Sequence, residues 1–155
     1  MAFAADLFAT IPSVEIPPIG RVVLAGRFAC ADRCDGDILY GDFDGDGWRD
    51  YAYPIKEIVD QVEGRYGVRV HLKNPVTSGR EEMEIGAAAH GPSGPPDFSR
   101  VDFWRVVPRA ELKTLWQGPI HPRGDGIMIE KRGSYSGLLG VVRGRLAWRW
   151  LGRSR

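Results

Sequence analysis

Asp42-Phe43-Asp44-Gly45-Asp46-Gly47-Trp48-Arg49-Asp50 sets aspartates at positions one, three, five and nine of nine residues, with glycines at four and six. Brought together, four carboxylates repel one another, so such a loop closes compactly only around a cation. Calcium is the natural candidate. It is a hard ion that accepts roughly six to eight oxygens in a forgiving geometry, whereas magnesium demands a stricter octahedron. The plain alternative is an Asp/Gly-rich turn that binds nothing, since these residues also favour turns for local reasons. Four aspartates in this register favour the metal. With every ligand supplied by one loop, the ion's role reads as structural.

Short strands flank the loop. Ile38-Leu39-Tyr40 leads in and Tyr51-Ala52-Tyr53-Pro54-Ile55 leads out. Pro54 cannot donate to a ladder, so the exit strand is expected to be an edge or to end there. Upstream, Arg21 to Phe28 reads as a strand and Ala29 to Gly36 as a polar loop carrying Cys30 and Cys34. Downstream, Ile55, Ile58, Val59 and Val62 fall at helical spacing, with Gly64 as a stop, so the spacing within Lys56 to Arg69 suits a helix. Val68 to Leu72 alternates as a strand, which puts His71 with Arg69 and Lys73 on an exposed face. Residues 87–96 form a loop by composition, with His90 inside it.

The C-terminal part repeats the strand signal. Phe98 to Val107 is aromatic and β-branched, and Ala110 to Trp116 is a helical turn or a short extended piece. Gly124-Asp125-Gly126 turns into Ile127 to Glu130. Ser136 to Val142 then passes through Arg143-Gly144-Arg145 into a strand whose Leu146, Trp148 and Trp150 share one face. Core packing accounts for the two tryptophans better than a ligand-stacking platform does.

A chain of 155 residues with 43% hydrophobic residues is one domain's length and supports a real core. Twenty glycines and eleven prolines break it at short intervals. The expected fold is mainly β, with antiparallel sheets and short hairpins, propeller-like or sandwich-like, and at most one or two short helices. Residues 1–20, apolar and punctuated by Pro12, Pro17 and Pro18, read as an extended lead-in to a single β-rich domain over residues 21–155. No apolar run approaches the roughly 20 residues needed to span a bilayer. A formal net charge of +1, with no recognised motif, argues against a nucleic-acid partner, although the chain after Glu130 is basic.

Ala2-Phe3-Ala4-Ala5 reads as the end of a secretory signal or as an Ala-rich cytosolic start. In an oxidising compartment, Cys30 and Cys34 would close a small disulfide loop; two free thiols are the other reading. His71, His90 and His121 are scattered and do not complete a zinc site.

The aspartate spacing resembles the first half of an EF-hand loop, but the twelfth position is Tyr53 where that family has a bidentate Glu. With Asp50 closing the site and an aromatic strand directly behind it, GDFDGDGWRDY resembles the calcium loop of FG-GAP/VCBS repeats. That resemblance implies side-chain ligands from Asp42, Asp44, Asp46 and Asp50 and the backbone carbonyl of Trp48. It also gives Gly47 an unusual backbone angle and implies a hairpin turning at Glu63 to Gly67. One such loop is present, so a closed, multi-bladed propeller is excluded. More loosely, the layout is similar to bacterial envelope proteins that act as immunity or inhibitor proteins against lysozyme-like, cell-wall-degrading enzymes.

The sequence shows no G-x-S-x-G elbow, Cys/His signature or H-E-x-x-H. The expectation is therefore a non-enzyme: a periplasmic or secreted, Ca2+-stabilised protein that binds a protein partner, with a peptidoglycan-degrading enzyme as the sharpest version. Residues 90–97 or the acidic rim would do the occluding. The alternatives are a cytoplasmic protein, a structural or carbohydrate-binding module with stacking tryptophans, and a carboxylate-based hydrolase.

Overall fold

The computed structural model describes residues 21–25, 29–34, 36–59, 62–74, 76, 79–86, 98 and 100–152. The lead-in over residues 1–20 and the loop around His90 lie outside the described residues. In chain order the elements are β1 (Arg21–Ala25), β2 (Ala29–Cys34), β3 (Leu39–Gly41), β4 (Asp50–Val59), β5 (Val62–Lys73), β6 (Arg80–Gly86), β7 (Arg100–Val107), α1 (Arg109–Leu115), β8 (Gly126–Lys131), β9 (Tyr135–Val142) and β10 (Arg145–Gly152). The fold is mainly β, as expected. No helix among the described residues is long and apolar enough to cross a membrane.

The strands form two five-stranded sheets. In the first, β1, β4, β5 and β6 are neighbours in that order, and β3 also pairs with β4. The second runs β10-β9-β8-β7-β2. Every pairing is antiparallel except that of β2 with β7. That exception corrects the expectation of a polar loop at Ala29 to Gly36. Ala29 pairs with Arg100 and Cys34 with Trp104, so the segment becomes a strand by filling an edge presented about seventy residues further along the chain. The backbones of Cys30 and Cys34 lie in β2; their side chains lie outside the described residues.

Residues 55–69 form a hairpin and not a helix. β4 pairs with β5 from Tyr51 opposite His71 to Val59 opposite Val62, so the turn falls earlier than Glu63 to Gly67. The helical spacing of the apolar residues is carried by β-branched side chains, which pack better on a pleated surface, and a register shift between Lys56 and Ile58 breaks the strict alternation. Pro54 neither ends β4 nor marks an edge. On the flank away from β5, β3 pairs only as far as Ala52 and β1 only from Ile55, so Pro54 sits in the gap between two strands.

The sheets share one core. The first contributes Leu39, Ala52, Val68, Val70 and Leu72, and the second contributes Trp104, Ile127, Ile129, Leu139 and Trp148. The outer face of the second sheet is covered by α1, whose Leu112, with Trp116 just beyond, packs on Val107 and Leu138. Arg109–Leu115 is rich in good helix formers, and Leu112 and Trp116 fall on one face of it, which decides Ala110 to Trp116 in favour of helix.

β9 and β10 form the expected hairpin through Arg143 and Gly144, both at positive φ (51° and 74°), as a type I′ turn requires. Trp148 is buried, edge-on to Trp150 with ring centroids 5.4 Å apart, while Trp150 is half exposed. Gly137 makes room for the indole: a Cβ there would lie 2.2 Å from Trp148 Cζ2. A buried Trp cannot step aside. Gly137→Ala is therefore expected to cost about 2 kcal/mol or more, read as a lower urea midpoint at unchanged slope.

Candidate metal centre

Gly41 and Asp50 are a paired rung of the β3–β4 ladder, so residues 42–49 are a long hairpin connection held at both ends. Phe43 is 2% exposed and anchors the loop in the core. Gly45 and Gly47 take φ of 77° and 89°, a conformation that L side chains rarely adopt.

The loop's own N–H groups hold its carboxylates. Asp42 Oδ2 accepts from Gly47 N–H at 2.9 Å, Asp44 Oδ1 from Asp46 N–H at 3.2 Å, and Asp46 Oδ1 from Trp48 N–H at 2.8 Å. Asp50 is completely buried; its Oδ2 accepts from Phe43 N–H at 2.8 Å and its Oδ1 from Lys73 N–H at 2.9 Å. Asp42, Asp44 and Asp50 each bring one oxygen to within 4.8 Å of the others. Asp46 lies outside that group, and both Asp46 and Trp48 are on the exposed stretch of the loop. Asp42 Oδ1 is buried and has no hydrogen-bond partner among the described residues. A buried, unpaired carboxylate oxygen is costly, and a cation is the partner that would relieve it. An all-oxygen set of this kind suits a hard divalent ion.

The electrostatics agree with the geometry. Burial pushes the Asp44 carboxyl up from 3.8 to about 7, with the charges of Asp50 and Asp46 adding to the rise and the Asp46 N–H opposing it. Burial also raises Asp50, against the N–H groups of Lys73 and Phe43.

Asp125, which in the sequence reads only as part of the turn into Ile127 to Glu130, fastens the aspartate loop to the second sheet. Its N–H donates to Asp42 O at 2.8 Å, its Oδ2 accepts from Asp42 N–H at 2.9 Å, and its Oδ1 accepts from Arg109 N–H at the start of α1. Gly124 allows the approach, because a Cβ there would lie 2.1 Å from Asp42 O. The sequence signal was an aspartate between two glycines at a strand start; its target 83 residues away left no local trace.

His71 departs from expectation. It shares a face with Arg69 and Lys73, yet it is buried, because the Tyr51 ring stacks on it at 4.6 Å and Tyr53 at 5.4 Å. Tyr53 Oη lies 3.0 Å from Nε2, and Glu82 Oε1 lies 3.4 Å from Nδ1. Desolvation lowers its pKa, against the pull of Glu82.

Because the folded Asp44 carboxyl titrates near 7, against an ordinary 3.8, its contribution to stability is present below about pH 4 and is lost as pH rises through about 7. In metal-stripped protein the melting midpoint should therefore fall between pH 5 and pH 8 by an amount that Asp44→Asn removes. Parallel wild-type and Asp44→Asn profiles over that window would contradict the assignment.

No family model, curated protein or solved structure matches this chain.

Proposed function

We propose that Asp42, Asp44, Asp46, Asp50 and the Trp48 carbonyl bind one structural Ca2+, and that the protein is a calcium-stabilised binding protein of the bacterial envelope that recognises a protein partner. The observation that carries the metal half is the clustering of one oxygen each from Asp42, Asp44 and Asp50 within 4.8 Å, in a loop where Asp42 Oδ1 is buried without a partner. The ion would supply charge neutralisation: it offsets the repulsion among the aspartates and stiffens the link between β3 and β4.

The surface that this loop shapes supports the binding half. Tyr40 and Trp48 are 49% and 44% exposed, with Arg49 Cζ lying 4.2 Å from the Tyr40 ring centroid and Lys73 Nζ 4.9 Å from that of Trp48. Exposed Tyr, Trp and Arg side by side are the residue types that anchor protein interfaces. Trp148, the tryptophan considered for sugar stacking, is 8% exposed and packs in the core. The sharpest version is an inhibitor or immunity protein that blocks a cell-wall-degrading enzyme by occlusion, with the Tyr40–Trp48 surface as the contact.

Calcium at a hundred times its dissociation constant should add about 2.7 kcal/mol to stability, and Asp44→Ala should abolish the increment. A wild-type melting midpoint unmoved by calcium overturns the metal assignment. In co-purification from the native host, a partner should be retained in calcium and lost with EDTA or with Trp48→Ala. A chain that emerges without a partner in both buffers overturns the binding role.

A further inference from the structure

A cleft of about 500 Å3 opens beside the aspartate loop, between the ends of the two sheets. Leu72, Met83 and Val141 line it with apolar surface, and Leu72 and Val141 are themselves buried. Its size is that of a small-ligand site, and its lining mixes this apolar patch with charged groups and His121. The charged groups divide by wall. Arg123 and Arg143 come from the second-sheet side, and Glu81 comes from β6 of the first sheet. Asp44 also reaches the lining, with its Oδ1 accepting from the Asp46 N–H of its own loop.

Neither arginine is tied to a protein partner as several others are. Arg69, Arg80 and Arg105 bond to Glu84, Tyr51 and Glu111. The guanidinium groups of Arg123 and Arg143 make no hydrogen bond, ion pair or ring contact among the described residues. Both are set on constrained backbone. The Arg123 carbonyl lies only 2.6 Å from where a Gly45 Cβ would be, and Gly124 follows it against the Asp42 carbonyl. Arg143, at φ 51°, is the one non-glycine residue at positive φ among the described residues. The first position of a type I′ turn is where Asn or Gly stands without strain, so an arginine there carries a backbone cost that the turn itself does not require.

We propose that this cleft binds an organic carboxylate carried on an apolar body, with Arg123 and Arg143 gripping the carboxylate and Leu72, Met83 and Val141 receiving the body. Guanidinium forks match carboxylate geometry, and Glu81 on the facing wall directs the negative end of the ligand towards the arginines. The carboxylate belongs either to a free small molecule or to the C-terminus of a polypeptide. The inference stands apart from the proposed function, since it does not require the loop to hold calcium.

The test is titration of the full chain with N-acetylphenylalanine and with its uncharged amide, followed by NMR and calorimetry. The acid is expected to shift the backbone resonances of Leu72, Val141, Arg123 and Arg143 and to bind at least tenfold more tightly than the amide. Arg143→Asn should bind the acid at least tenfold more weakly while melting at or above the wild-type temperature, because Asn suits the turn. That pairing separates a ligand role from a structural one. Arg123→Gln should weaken binding similarly. A peptide ending in a free Phe carboxylate that binds more tightly than N-acetylphenylalanine identifies a chain terminus as the source, and the reverse order identifies a small molecule. No shift at millimolar acid, equal binding of acid and amide, or wild-type affinity in Arg143→Asn overturns the proposal.

Discussion

The Asp50 carboxylate lies fully buried at the start of β4 and accepts the N–H of Phe43 from the loop and that of Lys73 from the end of β5. A carboxylate without solvent is tolerable only when its oxygens are satisfied, and here two backbone donors do part of that work. Those bonds fix where the loop begins relative to the sheet it returns to. Phe43 enters the core and Asp42 turns towards Asp50 and Asp44, so the acidic cluster is built on a rigid post and not on a free turn.

Asp125 extends the constraint to the other sheet. Three hydrogen bonds from one residue join the loop, the entry to β8 and the first residue of α1. The loop is therefore a joint between the sheets. The cleft beside it inherits that position, with walls from both sheets and an edge at Asp44. Aromatic packing completes the opposite part of the core, where Phe98, Tyr135 and Trp148 meet at tilted or edge-on angles.

Several elements were legible because their signals are local. The Arg143-Gly144 turn sits between two runs of strand-forming residues, and the pattern of Leu146 and Trp148 describes one face of one strand. Lys56 to Arg69 is ambiguous in the sequence because its apolar residues are β-branched yet fall at helical spacing, and only the pairing of β4 with β5 and with β1 decides for strands. Ala29–Cys34 was read as a loop because its composition is polar and its partner, β7, lies far along the chain. His71 was placed on the right face and given the wrong exposure: alternation gives direction but not what two tyrosines on the neighbouring strand do to it.

By itself, the sequence determined the class of the fold and the concentration of carboxylates in one loop. Strand alternation, turn residues and the spacing of four aspartates are properties of neighbours along the chain. The tertiary structure alone decided which strands share a sheet, which oxygen of Asp42 is buried without a partner, how Asp125 fastens the loop, and that Arg123 and Arg143 line one cleft. Each of these depends on groups distant in sequence meeting in space, and such meetings are selected by the packing of the whole core, which no local pattern encodes.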